Sequence, residues 1–263
     1  MSATAKVLKY QASDVARSRW LIIYTLFFLA TAEAVLRFSN DGAKALLSLS
    51  NVVLLVIPLV TIVFGTVYLY NAREFIELLL AQPVKRRQLF GGLYLGLALP
   101  LSAGFAVGLA TPFLLRGLGD RALAITLATL LLLGIALTAI FTALAFLIAS
   151  STDDRLKGLG VAITLWLLTS LLYDGLVLIV VAVFADYPIA KPVLALVVAN
   201  PIDLARVSLL LRFDISALMG YTGAVFRSFF GSEWGIAITS AALALWIAVP
   251  TVLGARRFGR KDF

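Results

Sequence analysis

The sequence predicts an all-α integral membrane protein with six transmembrane helices and with both termini in the cytoplasm. Its 263 residues are 62% hydrophobic and 14% charged, whereas soluble domains average roughly 45–50% and 25%. The apolar runs have the length that a helix needs to cross a bilayer, and they are far longer than the strands of a membrane barrel. Of the 22 Lys and Arg residues, 14 fall in segments that six crossings place on one side. The positive-inside rule assigns that side to the cytoplasm.

The first element is an amphipathic segment, residues 1–19, in which Lys6, Lys9 and Arg17 share one helical face and apolar residues share the other. This pattern is typical of a helix that lies in the membrane interface, so an elbow helix is predicted before the first crossing. The predicted transmembrane helices are residues 20–38, 49–70, 89–115, 122–149, 158–184 and 234–254.

The polar segment 71–88 joins the second and third predicted crossings on the cytoplasmic side. Residues 72–82 have the 3.6-residue period of an amphipathic helix, with Arg73 and two glutamates on one face and apolar residues toward the other. Pro83 ends this helix because it lacks an amide donor and disfavours helical geometry at the residue before it. From periodicity alone, the segment is either an ordinary interfacial helix or a docking element.

The stretch 185–233 is predicted to be an extracytoplasmic helical region and not a seventh crossing. Its most apolar part, 193–211, carries Asp203 and Arg206 near the middle. Each such charge costs about 2.5–3.5 kcal/mol at the centre of a transmembrane helix. We therefore expect two short re-entrant or interfacial helices.

Two acidic residues lie within predicted crossings, where ionisable groups are functional candidates by default. Glu33 stands four residues before Arg37, so an ion pair along the helix is favoured over a functional acid. Asp174 lies near the middle of the fifth crossing. A polar contact in the packed interior, for example at a dimer interface, is favoured for Asp174 over a proton relay.

The third crossing has a small or kinking residue at every fourth position. Such a ribbon permits close helix packing, and its prolines also permit a hinge. Packing within the protomer is the favoured interpretation. The residues are Gly92, Gly96, Pro100, Gly104, Gly108 and Pro112.

The sequence contains no Cys and no His. The soft and borderline ligands that select copper or zinc are therefore missing, as are the usual thiol nucleophiles and proton shuttles. No phosphate-binding loop of the form G-x-x-x-x-G-K-[ST] occurs either. We expect a non-catalytic chain that holds no metal and no cofactor.

The order of these elements resembles the ABC-2 permease family. Residues 70–96, which read YNAREFIELLLAQPVKRRQLFGGLYLG, and residues 200–206, which read NPIDLAR, are similar more specifically to the NosY-type permeases that assist the maturation of nitrous oxide reductase. The resemblance implies a homodimer in the inner membrane of a bacterium or archaeon. It implies no contact with nucleic acid, and it implies ATP and magnesium bound on a separate ATPase subunit (NosF-like).

The resemblance also implies roles for particular residues. The helix in 71–88 becomes a coupling helix that docks on the ATPase, residues 151–155 make a second contact, and the outer region meets a periplasmic β-helical subunit (NosD-like) in copper or sulfur delivery. The coupling residues are Arg73, Glu74, Phe75, Glu77, Leu78, Leu79, Pro83 and Arg86; the second contact is Ser151, Asp153, Asp154 and Arg155; the periplasmic contact is Asp203 and Arg206.

Two alternatives stay open at this stage. The chain is either an ABC-2 exporter of another substrate or, from a different class, an autonomous ion-coupled transporter that uses Asp174. An intramembrane hydrolase is disfavoured because the sequence has no G-x-S-x-G elbow.

Overall fold

The computed structural model describes residues 3–39, 41–82, 84–117, 120–184, 190–211 and 233–261, and these form helices with no strand among them. The helices are α1 (Ala3–Arg17), α2 (Arg19–Phe38), α3 (Gly42–Asn71), α4 (Arg73–Leu80), α5 (Arg86–Arg116), α6 (Arg121–Ser151), α7 (Arg155–Leu167), a π-helix (Leu168–Leu172), α8 (Tyr173–Val183), α9 (Ala190–Ala199), α10 (Pro201–Leu210) and α11 (Glu233–Arg260).

Within the described ranges, six helical segments are long and apolar enough to cross a membrane, which confirms the predicted fold class. They are α2, α3, α5, α6, the continuous unit from α7 to α8, and α11. Two of them extend past their predicted bounds by more than one helical turn. Helix α3 begins at Gly42 and not at residue 49, because the Asp41 carboxylate caps it by accepting from the Ala43 amide at 2.9 Å. Helix α11 continues to Arg260, six residues past the predicted end.

The core of the protein lies between α3, α5 and α6. In the most apolar stretch of each of these helices, 50–67% of the residues are buried, compared with 22% in α2, 11% in α11 and 6% in the unit from α7 to α8. Aromatic rings fill the end of the core near residues 71–88. Phe90 packs edge-on against Phe146 and against Phe258, with ring centroids 5.6 Å apart in each pair. The second, third and fourth crossings therefore form one packed unit, and the others lie at its periphery.

The predicted elbow is helix α1, which packs along α5. Val7, Gln11 and Val15 are its buried residues, spaced at four-residue intervals. Ser18 then caps the next helix by accepting from the Leu21 amide. The elbow is therefore attached to the core by side-chain packing.

Three glycines of α5, Gly96, Gly104 and Gly108, form a surface on which α1 and α2 pack, in agreement with the packing interpretation of the four-residue ribbon. A Cβ at Gly96 would lie 2.6 Å from the Cβ of Gln11 in α1. A Cβ at Gly108 would lie 2.5 Å from the carbonyl oxygen of Thr25 in α2. Because real Cβ atoms do not approach so closely, only glycine lets these helices reach their observed separation.

Of the predicted outer region 185–233, the described residues 190–211 form two short helices, which agrees with the two short helices predicted around 193–211. Helices α9 and α10 meet at Asn200, and their axes bend by 112°. Residues 185–189 and 212–232 of the predicted outer region lie outside the described residues. The fifth crossing has one irregularity, the π-helical turn Leu168–Leu172 between α7 and α8.

Candidate functional site

The predicted coupling helix is α4, which is shorter than the sequence indicated. It covers Arg73–Leu80, two turns, whereas residues 72–82 were predicted. Ile76 is completely buried and fixes the helix to the core. Pro83, the predicted terminator, lies outside the described residues.

One face of α4 and of the turn after it is exposed. Its members recur at intervals of three and four residues, which places them along one stripe of a helix. Leu78 is 70% exposed although it is a large apolar residue, and it lies beside Glu74 and Glu77 on this face. A lone exposed leucine needs no explanation by itself, but this one completes a mixed apolar and acidic surface. We call the following residues the exposed stripe: Glu74, Glu77, Leu78, Ala81 and Gln82.

Two of the three predicted apolar contacts face inward and not toward a partner. The ring of Phe75 stacks on that of Tyr10 in the elbow helix, with centroids 5.8 Å apart. Leu79 is half-buried and packs against the core. The sequence had grouped both with Leu78, but tertiary packing separates them because α4 lies against α1 and the core. Phe75 and Leu79 therefore position the helix, and Leu78 is the apolar side chain that it presents.

The end of α3 and the start of α4 are attached to the loop between α6 and α7 through backbone carbonyl groups of that loop. The Tyr70 hydroxyl donates to the Thr152 carbonyl oxygen at 3.0 Å and lies 3.3 Å from that of Asp154. The Arg73 guanidinium donates to the Asp153 carbonyl oxygen at 2.8 Å and lies over the Tyr70 ring at 4.9 Å. We call residues 70–73, 152–154 and Lys261 the loop junction.

The four residues predicted for the second contact have different surroundings. Ser151 bonds back to its own helix at the Leu147 carbonyl, so its hydroxyl is already engaged. The Asp154 carboxylate caps α7 by accepting from the amides of Leu156 and Lys157. Arg155 is exposed. The loop therefore presents Arg155 outward, while Ser151 and Asp154 hold the helix ends in place.

Asp153 is the fourth of these residues, and it forms an ion pair that the sequence did not predict. Its carboxylate accepts from the Lys261 ammonium at 3.0 Å. The hydrogen bond and charge of Lys261 hold the pKa of the Asp153 carboxyl below its usual value. Arg86, which the resemblance places among the coupling residues, donates to the Lys261 backbone carbonyl at 2.6 Å.

Tyr70 and Lys261 are members of the loop junction that were not predicted. The three-residue spacing of Tyr70 and Arg73 places them on one helical face, and that spacing was a usable signal. Lys261 lies more than 100 residues from its partners, so no local pattern indicates its role.

The intramembrane acid Asp174 has Arg206 as its partner. The Arg206 Nη1 lies 2.7 and 2.6 Å from the two Asp174 carboxylate oxygens and 3.2 Å from Asp203 Oδ1. The polar contact expected for Asp174 is thus made to Arg206, with the two side chains 38% and 33% exposed on the single chain. A contact across a dimer interface stays a prediction. Asp203 is only 6% exposed. Its predicted use as a surface contact for a periplasmic subunit is therefore wrong for the carboxylate itself, which folding against the fifth crossing has buried.

Asn200 ties the same cluster to the π-helical turn. Its amide donates to the Thr169 carbonyl oxygen at 2.8 Å and to Asp203 at 3.1 Å, while its own oxygen caps α10. A π-turn disrupts the regular ladder of backbone hydrogen bonds and frees a carbonyl group for such a contact. The outer polar cluster, Asp174, Asn200, Asp203 and Arg206, therefore fastens α10 to the fifth crossing.

Glu33 forms the predicted pair along its helix, with Arg37 at 2.7 Å. Arg116 adds a second contact at 2.7 Å, which joins the end of α2 to the end of α5. Among the residues that the structure describes, no three His, Cys, Asp or Glu side chains are grouped as metal ligands would be.

Comparison with known proteins identifies similar chains over nearly the full length. The profile described as "ABC-2 family transporter protein" matches residues 5–263. A Pseudomonas aeruginosa protein named "Probable ABC transporter permease protein NosY" is 26% identical over 283 residues, covering 97% of each chain. A Stutzerimonas stutzeri protein of the same name is 25% identical over 281 residues, covering 99% of each.

Proposed function

This chain belongs to the ABC-2 family of transporter permeases, and we propose that it converts ATP hydrolysis by a separate ATPase subunit into movement of its transmembrane helices. The family assignment makes it a multi-pass permease subunit and implies an ATPase partner. The observation that carries the proposal is the exposed stripe of α4, which is fixed to the core on its other side.

A transmitting element needs a free surface for the partner and a stiff attachment to what it moves. The exposed stripe supplies the first, with Glu74 and Glu77 as charged contacts and Leu78 as the apolar one. The buried Ile76 and the stacked Phe75 supply the second. A push on the stripe is then delivered to the core, because close-packed interiors transmit displacement and do not absorb it.

The narrower proposal is that this permease serves copper or sulfur delivery for nitrous oxide reductase in the inner membrane of a bacterium or archaeon. The names of the two relatives support it. So does the absence of Cys and His from the sequence, since a permease that passes force to its partners needs no soft metal ligands of its own. The partners would be a NosF-like ATPase and a NosD-like periplasmic β-helical subunit.

We also propose that the permease works as a homodimer. The ion pair between Asp174 and Arg206 lies in the fifth crossing and the outer hairpin, yet the two side chains are 38% and 33% exposed on the single chain. Exposing such a pair to hydrocarbon is costly, so intramembrane charges face protein or water. A second copy that covers this face would supply that environment.

The test uses the permease co-expressed with an ABC ATPase subunit from the same organism. The double variant Glu77→Ala/Leu78→Ala removes a charged and an apolar contact from the exposed stripe. We expect the ATPase to be lost during purification of the permease and its hydrolysis to lose permease dependence. The matched control is Leu115→Ala/Asp120→Ala, which removes an exposed leucine and an exposed acid at the other end of the bundle. Equal recovery of the ATPase with both double variants would contradict the proposal.

An ion-coupled transporter would instead move its solute with no ATPase present. The pairing of Asp174 with Arg206 disfavours that alternative, because both carboxylate oxygens already accept from the guanidinium and neither is left to bind a solute ion. Solute uptake by the purified chain alone in liposomes, abolished by Asp174→Asn, would establish it in place of our proposal.

A further inference from the structure

Lys261 has a buried side chain with several contacts, although it lies near the end of the sequence. It directly follows the end of α11, and its side chain is only 8% exposed. The ammonium donates to the carbonyl oxygens of Ala149 at 3.0 Å and Thr152 at 2.9 Å, and it pairs with Asp153 at 3.0 Å. All three of its hydrogen-bond donors are therefore used.

The first two of these contacts complete the end of another helix. The last four carbonyl groups of an α-helix have no partner within it, and Ala149 lies in the last turn of α6. A lysine that supplies those partners is favoured at a helix C-terminus, where the backbone dipoles place partial negative charge. Lys261 thus caps α6 from a distant part of the sequence.

The backbone of Lys261 is held as well. Arg86, the first residue of α5, donates to its carbonyl oxygen at 2.6 Å. The end of α11 is therefore attached to α6 through a side chain and to α5 through the main chain. Both helices directly follow or precede the loops that are proposed to meet the ATPase.

One backbone carbonyl group of the loop, that of Thr152, accepts hydrogen bonds both from Tyr70, near α4, and from Lys261, after α11. The Thr152 carbonyl oxygen accepts from the Tyr70 hydroxyl and from the Lys261 ammonium, as its two lone pairs allow. The Asp153 backbone accepts from Arg73, and the Asp153 side chain pairs with Lys261. A displacement of α4 consequently reaches α11 through residues 152 and 153.

Along its bilayer portion, helix α11 lies against α6 and is only partly buried, with Leu243, Trp246 and Ile247 packed on the core. Only 11% of its most apolar stretch is fully buried within the chain. Near the loop junction the contacts are closer, because Phe258 packs on Phe90 and Gly254 lies close to the Leu147 backbone. The largest completely buried side chain of α11, Phe258, therefore lies at the end that Lys261 follows.

We propose that Lys261 is a positioning residue that fastens the last crossing to the ATPase-facing loops, so that nucleotide-driven movement of those loops carries α11 with it. This inference rests on the proposed function, because it requires an ATPase that moves the loops.

The experiment uses the permease–ATPase complex in nanodiscs with spin labels at Leu132→Cys in α6 and Leu245→Cys in α11. Both leucines are more than 60% exposed, and the chain has no other cysteine. We expect the distance between the labels to change with nucleotide in the parent chain. In Lys261→Met that change is expected to disappear, with kcat for ATP reduced severalfold and KM for ATP unaltered.

Conservative and neighbouring variants separate positioning from simple stability. Lys261→Arg keeps the charge and several donors and is expected to restore the distance change. Arg260→Met removes the charge of an exposed neighbour but breaks no contact, so this variant is expected to behave like the parent. Arg86→Met, which removes the main-chain attachment, is expected to reduce the change even if Lys261→Met folds poorly.

The outcomes are distinguishable. A full nucleotide-dependent distance change in a folded Lys261→Met complex, or in Arg86→Met when Lys261→Met does not fold, would overturn the inference while leaving the proposed function intact. A parent chain that binds no ATPase would overturn both.

Discussion

Replacing Gly158 with alanine tests whether the loop junction depends on the position of the Tyr70 ring. Gly158 is buried in the first turn of α7. A methyl group there would overlap the Tyr70 hydroxyl oxygen and lie 2.8 Å from Cζ and 2.9 Å from Cε2 of the ring. The ring has to move, and the hydrogen bond to the Thr152 carbonyl at 3.0 Å is lost with it.

The magnitude follows from three contributions to the free energy of unfolding. Loss of the hydrogen bond costs about 0.5–1.5 kcal/mol, and overpacking costs about 1–3 kcal/mol. The better helix propensity of alanine offsets up to about 1 kcal/mol. The Gly158→Ala variant should therefore be less stable than the parent by roughly 1–3 kcal/mol.

Gly160→Ala is the matched control, since it lies two residues further along the same helix with nothing within 4 Å of the added methyl group. It should gain up to about 1 kcal/mol from propensity alone. The assay is thermal unfolding in detergent, followed by tryptophan fluorescence. For a chain of this size, each kcal/mol corresponds to about 2–4 °C in Tm.

A third variant addresses the cause of the effect. In a Tyr70→Phe background the hydroxyl is gone, so Gly158→Ala should cost less than it does in the parent chain. Equal Tm values for Gly158→Ala and Gly160→Ala, or additive effects of the Gly158 and Tyr70 substitutions, would refute the reasoning.

Three further outcomes are expected. The lowered pKa of the Asp153 carboxyl contributes stability that is present above the pKa of the unfolded chain and is lost as pH falls through the pKa of the folded chain. Asp153→Asn should therefore flatten the acid limb of a Tm-versus-pH profile below about pH 4. An unchanged limb would show that the pair with Lys261 contributes nothing. Gly108→Ala should destabilise the protein by about 1–3 kcal/mol because it separates α2 from α5. Thermal unfolding measures the loss, and the control Gly259→Ala, where the added methyl group meets nothing, is expected to be neutral or stabilising. Arg206→Met leaves the carboxylates of Asp174 and Asp203 without a cation, so it should lower Tm more than the double variant Arg206→Met/Asp174→Asn does. A larger loss of Tm in the double variant would contradict the pairing.

The six crossings could be predicted because length and hydropathy suffice to identify a transmembrane helix. The pair of Glu33 and Arg37 and the packing role of the α5 glycines could also be predicted, since both depend on spacing along one helix. The extra turns of α3 were missed because the cap at Asp41, and not hydropathy, decides where that helix begins.

The candidate site could be predicted only in outline. Periodicity placed Phe75, Leu78 and Leu79 together, but it could not show that α1 and the core would cover two of them. The partners of Asp174 and Asp153 come from distant parts of the chain, at Arg206 and Lys261. Such pairs depend on how helices meet in three dimensions, which the local pattern of one sequence does not contain.

The unequal burial of the crossings determines which of them can shift at low cost. Sliding α3 past α6 would open voids in a tightly interlocked interior, at several kcal/mol for each large side chain affected. The fifth and sixth crossings lose few such contacts when they tilt, because lipid tails solvate their apolar surfaces about as well before the tilt as after it. The packed unit of α3, α5 and α6 is therefore costly to deform, whereas the fifth and sixth crossings, with 6% and 11% of their apolar stretches buried, can change their tilt at lower cost.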